Sequence, residues 1–222
     1  MPADTALATV LQHTLAQSTS GDGIGLHTGR RVRLRLLPAP AGHGIVFRRT
    51  DGAAAGATIP ASWRLVADAP LCTVLTDDAG VSVRTAEHLM CALYACEIDN
   101  AVAELDSEEL PILDGSATPL VRLIEAAGTV AQELPRRYIR VLQPVEIAAG
   151  RTRLRLEPAP TLQLDITLAM PDFGPLRWQG EAAPAIVRAE IAPARTFGSL
   201  KEALTAMLYG RLTGRPILRG AR

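Results

Sequence analysis

Arginine alternates with apolar residues along Arg31-Val-Arg-Leu-Arg-Leu-Leu-Pro-Ala-Pro40. The same beat returns in Arg151-Thr-Arg-Leu-Arg-Leu-Glu-Pro-Ala-Pro160. A period of two predicts a half-buried strand, and each proline pair predicts its end. Asn100–Leu105, Tyr138–Leu142, Val145–Ala148 and Thr161–Leu168 also read as strands. Helical spacing appears in three places. The first helix is expected from about Ala86 to Cys96, with Leu89, Ala92, Leu93 and Cys96 on one face. The second has Thr118 as N-cap, Pro119 in the first turn, Gly128 as stop, and a stripe of Leu120, Leu123, Ile124 and Ala127. The third opens on the capping box Ser199-Leu-Lys-Glu202 and is expected to bury Leu200, Ala203, Leu204, Met207 and Leu208 before Gly210 ends it.

The two arginine-rich strands are identical at eight of ten positions, at an offset of 120 residues. A second match supports them: Arg84-Thr85 and Arg195-Thr196 each precede a helix, and those helices share Ala92-Leu93 and Ala203-Leu204, at an offset of 111. Two matches in the same order imply a duplicated unit, and the period is too long for a solenoid. The expected architecture is α+β: a first unit over 1–132 and a second over 136–222, each a sheet covered by helices. Glu133-Leu-Pro135 is the expected linker.

Composition narrows the function. The 222-residue chain is 48% apolar, enough for a packed core, and 23 basic residues balance 23 acidic ones. A neutral chain lacks the basic surplus of a broad nucleic-acid footprint, although a local arginine pair can still meet an anionic substrate. Three cysteines, Cys72, Cys91 and Cys96, are too few for a disulfide framework and read as buried thiols. No apolar run reaches the ~20 residues of a membrane span. No basic flank leads into an apolar stretch at the N-terminus, so no signal peptide is expected and the expected setting is a reducing cytoplasm.

Candidate chemistry centres on Glu87-His88 at the start of the first helix. Neighbours on a helix point about 100° apart, so a metal on His88 would have the Glu87 carboxylate beside it as a base. The plain alternative is a solvated helix face with a favourable N-terminal glutamate. The chain has four histidines (His13, His27, His43 and His88), and none follows His88. Gly23-Ile-Gly-Leu-His-Thr-Gly29 lacks the lysine of a phosphate loop and precedes a strand, so it reads as a turn and His27 as a loop histidine. Arg48 and Arg49 could bind a phosphate or carboxylate, or simply end a surface strand. Asp114-Gly115 reads as a turn ahead of a helix.

Seven segments, in order, resemble one family: Gly23–Gly29, Phe47–Asp51, Leu71-Cys72-Thr73, Thr85–Leu89, Ile98-Asp99-Asn100, Pro111–Ala117 and Ala194-Arg-Thr-Phe-Gly198. It is the zinc-dependent UDP-3-O-acyl-N-acetylglucosamine deacetylase family of lipid A synthesis. The resemblance covers roughly residues 18 to 200. It implies two similar α+β units with helices sandwiched between two sheets and the site between the units. It further implies hydrolysis of the 2-acetamido group of UDP-3-O-acyl-N-acetylglucosamine, with Glu87 as general base and His88 as a ligand of Zn2+. Leu71 and Cys72 match positions near the fatty-acyl path, and Thr196 and Phe197 match residues lining the substrate site. The family's other zinc ligands, a histidine and an aspartate on a later helix, have no counterpart here. The tail Tyr209–Arg222 does not resemble the family's glycine-rich segment and fits an out-of-frame reading. The expectation is a second unit cut short and a chain inactive alone. The alternatives are a non-catalytic binding or regulatory relative, or one half of an enzyme completed by a second polypeptide.

Overall fold

The computed structural model describes residues 10–69, 71–170, 174–197, 200–214 and 217–220. Its first strands are β1 (Leu11–Leu15), β2 (Thr19–Ile24), β3 (Arg31–Pro38), β4 (Ile45–Arg49) and β5 (Thr58–Pro60). Three short strands follow, β6 (Val66–Ala67), β7 (Val74–Thr76) and β8 (Ser82–Arg84), then α1 (Glu87–Ala95), β9 (Ala101–Leu105), α2 (Thr118–Ala127) and β10 (Thr129–Pro135). The remainder comprises β11 (Val145–Ala149), β12 (Thr152–Leu156), β13 (Gln163–Met170), β14 (Gly174–Glu181), α3 (Pro184–Ile186) and α4 (Leu200–Thr213). The chain is α+β, as its patterning predicts.

Alternation in β3 has the expected consequence. Val32, Leu34 and Leu36 are buried while Arg31, Arg33 and Arg35 face solvent. The sheet order is β2-β3-β9-β4-β5, antiparallel except for β4 beside β9. Its inner face carries Leu34, Leu36, Phe47, Ala101, Ala103 and Leu105, and the buried stripes of α1 and α2 share that core. In α1 these are Leu89, Ala92, Leu93 and Ala95. In α2, Val121 joins the expected Leu120, Ile124 and Ala127, while Leu123 is only partly buried. Thr118 is not the cap of α2. The cap position is Ala117, which has no side chain to cap with, and the Thr118 backbone N–H donates to Ser116 Oγ at 3.2 Å. Gly128 ends the helix as expected, at φ +69°.

Glu133-Leu-Pro135 is not a linker. It completes β10, which pairs antiparallel with β1 at the other end of the sequence. A buried amide knot fastens this ladder to the main sheet. Asn100 Nδ2 donates to Gln12 Oε1 (2.8 Å) and Gln132 Oε1 (2.7 Å), and Asn100 Oδ1 accepts from Gly44 N–H (2.7 Å). The partner strand is over a hundred residues away, which local composition cannot reveal. Tyr138–Leu142 is not a strand either, and Ile139 is almost wholly exposed.

Among the described residues, the strands of the second repeat form two separate hairpins rather than one sheet. β11 pairs with β12 and β13 with β14, each as a separate two-stranded ladder. Leu154 and Leu156 occupy the positions that Leu34 and Leu36 hold in the first repeat, yet both are exposed. Leu204, Met207 and Leu208 of α4 are exposed too, contrary to the predicted buried stripe, and α4 runs through Gly210 to Thr213. The Ser199–Glu202 capping box falls outside the described residues and side chains. One tie between this half and the first is the segment around α3. Ala182, Val187 and Ala192 enter the main core, Tyr94 Oη donates to the Ala182 carbonyl (2.7 Å), and Arg188 Nη2 donates to the Ala95 carbonyl (2.8 Å).

Candidate active site

The start of α1 brings Glu87 and His88 against the Leu71-Cys72-Thr73 segment. β8 ends at Arg84, and the chain then turns through Thr85 at φ +60°, a left-handed conformation rare for a β-branched residue. That turn launches Glu87 and His88, both half-buried. Glu87 Oε2 accepts the Thr73 backbone N–H at 3.0 Å, and Ala86 N–H donates to the Thr73 carbonyl at 3.3 Å. Leu71-Cys72-Thr73 is therefore held against the helix start. Leu71 is itself left-handed (φ +65°) and exposed. Cys72 is half-buried with the Arg84 guanidinium 4.0 Å from its sulfur. Burial pushes its thiol up, and the arginine opposes that shift.

Thr196 and Phe197 follow α3 in the chain and are exposed. Thr196 N–H donates to the Gly115 carbonyl (2.8 Å), so this segment lies on the Asp114–Gly115 turn. Asp114 is spent on that turn: its Oδ1 accepts the Ser116 N–H and hydroxyl, and the hydroxyl bond draws its carboxyl below the usual range. Arg49 is also structural. It forks onto Asp51 with two 2.7 Å bonds and donates to the Ser82 carbonyl, while Arg48 pairs with Glu104 at 2.7 Å. Arg49 is thus buried and fully engaged, whereas Arg48 is a partly exposed ion-pair partner at the strand end.

Two residues matter more than their sequence suggested. His27 lies on the expected loop, but its side chain is 1% exposed, and its Nε2 is buried without a partner among the described residues. Burial lowers its pKa from 6.5; Glu109 opposes the shift, Arg84 adds to it, and Glu87 opposes it more weakly. The same two residues that flank the helix start thus act on the loop imidazole. Glu109, fully buried, is the residue that sequence reasoning missed. Its Oε1 accepts from His27 N–H (2.8 Å) and Thr85 Oγ1 (3.0 Å), and its Oε2 accepts from Thr28 N–H (2.7 Å). Gly25 has to be glycine, because a Cβ there would collide with the Glu109 carboxylate and the Thr28 hydroxyl. The acidic run Asp106-Ser-Glu-Glu109 ahead of Leu110-Pro111 gave no signal that singled out Glu109, since its donors are backbone groups of a distant loop and the Thr85 hydroxyl.

The C-terminal segment lies over this loop. Arg219 N–H donates to the His27 carbonyl (3.0 Å) and Gly220 N–H to the Leu26 carbonyl (2.8 Å), with Ile217 buried beside them.

Zinc chemistry needs three protein ligands around an open position. Among the described residues no group of three or more His, Cys, Asp or Glu side chains is placed to hold a metal ion. His88 with Glu87 beside it supplies one imidazole and one carboxylate, so these residues alone do not fit a catalytic zinc. The three thiols are free, and Cys96, the most buried, is pushed up to about 11 by desolvation. No helix among the described residues is long and apolar enough to cross a membrane.

Residues 12–215 match the family model described as LpxC, UDP-3-O-acyl N-acetylglycosamine deacetylase. Among curated proteins, the UDP-3-O-acyl-N-acetylglucosamine deacetylase of Phenylobacterium zucineum is 42% identical over 206 residues, covering 91% of this chain and 70% of the relative. The protein of that name from Xanthomonas campestris pv. campestris is 41% identical over 195 residues, covering 86% of this chain and 64% of the relative. That of Idiomarina loihiensis is 40% identical over 198 residues, covering 87% and 64%. The chain thus spans about two thirds of the length of the relatives it matches.

Proposed function

Because the chain belongs to the UDP-3-O-acyl-N-acetylglucosamine deacetylase family, we propose that it carries the general-base half of that deacetylase site, acting in lipid A synthesis. The observation that carries this reading is Glu87. It opens α1 next to His88, its Oε2 is held by Thr73 N–H, and its Oε1 carries no hydrogen bond among the described residues. In the reading, Oε1 takes a proton from water as the oxygen adds to the acetamide carbonyl carbon. The C–N bond then breaks, the sugar nitrogen leaves as an amine after taking up a proton, and acetate is released.

Leu71 and Cys72 are held beside this carboxylate by Thr73, which supports their assignment to the acyl chain of the substrate. Thr196 and Phe197, on the Gly115 turn, are assigned to the sugar side. His88 is assigned as one zinc ligand. In this reading a complementing polypeptide supplies the ligands that complete a zinc site, because the described residues offer no group of three. Free thiols fit a reducing, cytoplasmic setting.

The test combines the purified chain with a polypeptide comprising the part of the Phenylobacterium zucineum relative that it does not cover. Acetate release from UDP-3-O-acyl-N-acetylglucosamine and bound zinc are measured before and after mixing. The expected result is stoichiometric zinc and turnover only in the mixture, with turnover lost in Glu87→Ala. Turnover that survives Glu87→Ala would sink the assignment of the base. A mixture that binds zinc yet never turns over would favour a non-catalytic relative.

A further inference from the structure

The loop Gly25–Arg30 and the turn that launches α1 are far apart in sequence, yet both close on one buried carboxylate. Glu109 Oε1 is shared: it accepts the His27 backbone N–H at 2.8 Å and the Thr85 hydroxyl at 3.0 Å. Oε2 accepts Thr28 N–H at 2.7 Å, so both oxygens are engaged and no solvent reaches them. Thr85 is the left-handed residue that aims Glu87, and the His27 loop is where the C-terminal segment docks. A carboxylate accepting several N–H and O–H bonds at a dry site is held firmly in one orientation. A buried group this well satisfied would be costly to leave half-paired.

We propose that Glu109 is a positioning residue that couples the His27 loop to the helix start, so that the placement of His27 and of Glu87 is set by one group. Its effect on turnover rests on the function proposed above, but the coupling itself does not. Two donors on one oxygen compete. Removing the Thr85 hydroxyl should strengthen the bond from His27 N–H, although Thr85→Val alters nothing on the loop itself. Leu110, Pro111 and Ile112 extend the connection, since Ile112 N–H donates to the Ile24 carbonyl at the near end of the loop.

The test is 15N NMR of the full chain, reading the backbone amides of His27, Thr28, Glu87 and His88 together with the His27 ring nitrogens. In Thr85→Val the His27 amide proton should move downfield and the His27 ring nitrogens should shift with it. In Glu109→Gln, one acceptor oxygen becomes an NH2 donor facing donors. Amide exchange at His27 and Thr28 should then quicken by about tenfold or more, as loss of a charge-assisted bond implies. Glu109→Asp, a shorter carboxylate, should recover part of the wild-type spectrum. Folded Thr85→Val with unmoved His27 and Thr28 signals would overturn the coupling, and this holds even if Glu109→Gln does not fold. In the mixture that restores acetate release, Glu109→Gln should lower kcat more than it raises KM, with partial rescue by Glu109→Asp. An unchanged kcat there would overturn the positioning role. A wild-type mixture without turnover would remove the functional reading and leave the NMR result to decide the coupling.

Discussion

Replacing one leucine in α1 and one in α4 should have very different consequences for stability. Leu93 is 1% exposed and packs in the core between α1, α2 and the sheet, whereas Leu208 of α4 is 59% exposed. Leucine and alanine have similar helix propensity, so the comparison isolates packing. Leu93→Ala loses the transfer free energy of the deleted carbons and leaves a cavity that close-packed neighbours fill poorly, costing about 2–5 kcal/mol. At Leu208 only about two fifths of the side chain is withdrawn from water and solvent fills the space, so Leu208→Ala should cost about 1 kcal/mol or less. Urea unfolding followed by far-UV circular dichroism measures both. With a slope of about 2–3 kcal/mol per molar urea, Leu93→Ala should lower the midpoint by about 1 M or more, and Leu208→Ala by a few tenths at most. Equal shifts would refute the reasoning and mean that α4 packs its apolar face as the sequence had suggested.

Other outcomes follow from the same structure. Asn100→Ala removes an acceptor from Gly44 N–H and a donor shared by Gln12 and Gln132, and should cost about 2–4 kcal/mol in the same urea assay. His27 should titrate below 6.5 in a 15N NMR titration, because burial disfavours its imidazolium. Its folded state binds fewer protons than the unfolded state between the two pKa values, so its contribution to stability is present above about 6.5 and drains away as pH falls through the folded value. Melting points from pH 7.5 down to 5 check the sign, and His27→Gln should flatten that slope. With iodoacetamide at pH 8, Cys96 in the folded chain should stay unmodified, since its thiol is buried and pushed up to about 11. Mass spectrometry would show labelling at Cys72 and Cys91 first, and prior labelling of Cys96 would contradict its burial.

Much of the first half was legible because its signals are local. The alternation of β3, the stripes of α1 and α2, the Gly128 stop and the Asp114–Gly115 turn each declare themselves within a few residues. The resemblance gives Leu71 and Cys72 only as positions near the acyl path, and the contact of their segment with Glu87 comes from the hydrogen bond of Thr73 N–H. Glu109 and the burial of His27 were not legible, because each depends on backbone donors or neighbours brought from elsewhere in the chain. Glu133–Pro135 was misread as a linker for the same reason, as its partner is β1.

The arginine repeat separates the two kinds of information most clearly. By itself the sequence determined that Arg31–Pro38 and Thr152–Leu156 are strands, since alternation and the proline stops act through the local backbone. It could not determine which of them is buried. Leu34 and Leu36 meet α1 and α2 across the inner face of a five-stranded sheet, while Leu154 and Leu156 belong to a lone hairpin and remain in water. Burial is a property of what arrives on the other side of a strand, so it was decided by the tertiary structure. The placement of Glu87 follows the same division: the sequence set it at a helix N-terminus beside His88, and only the fold brought Thr73 onto its carboxylate and Glu109 onto the Thr85 turn.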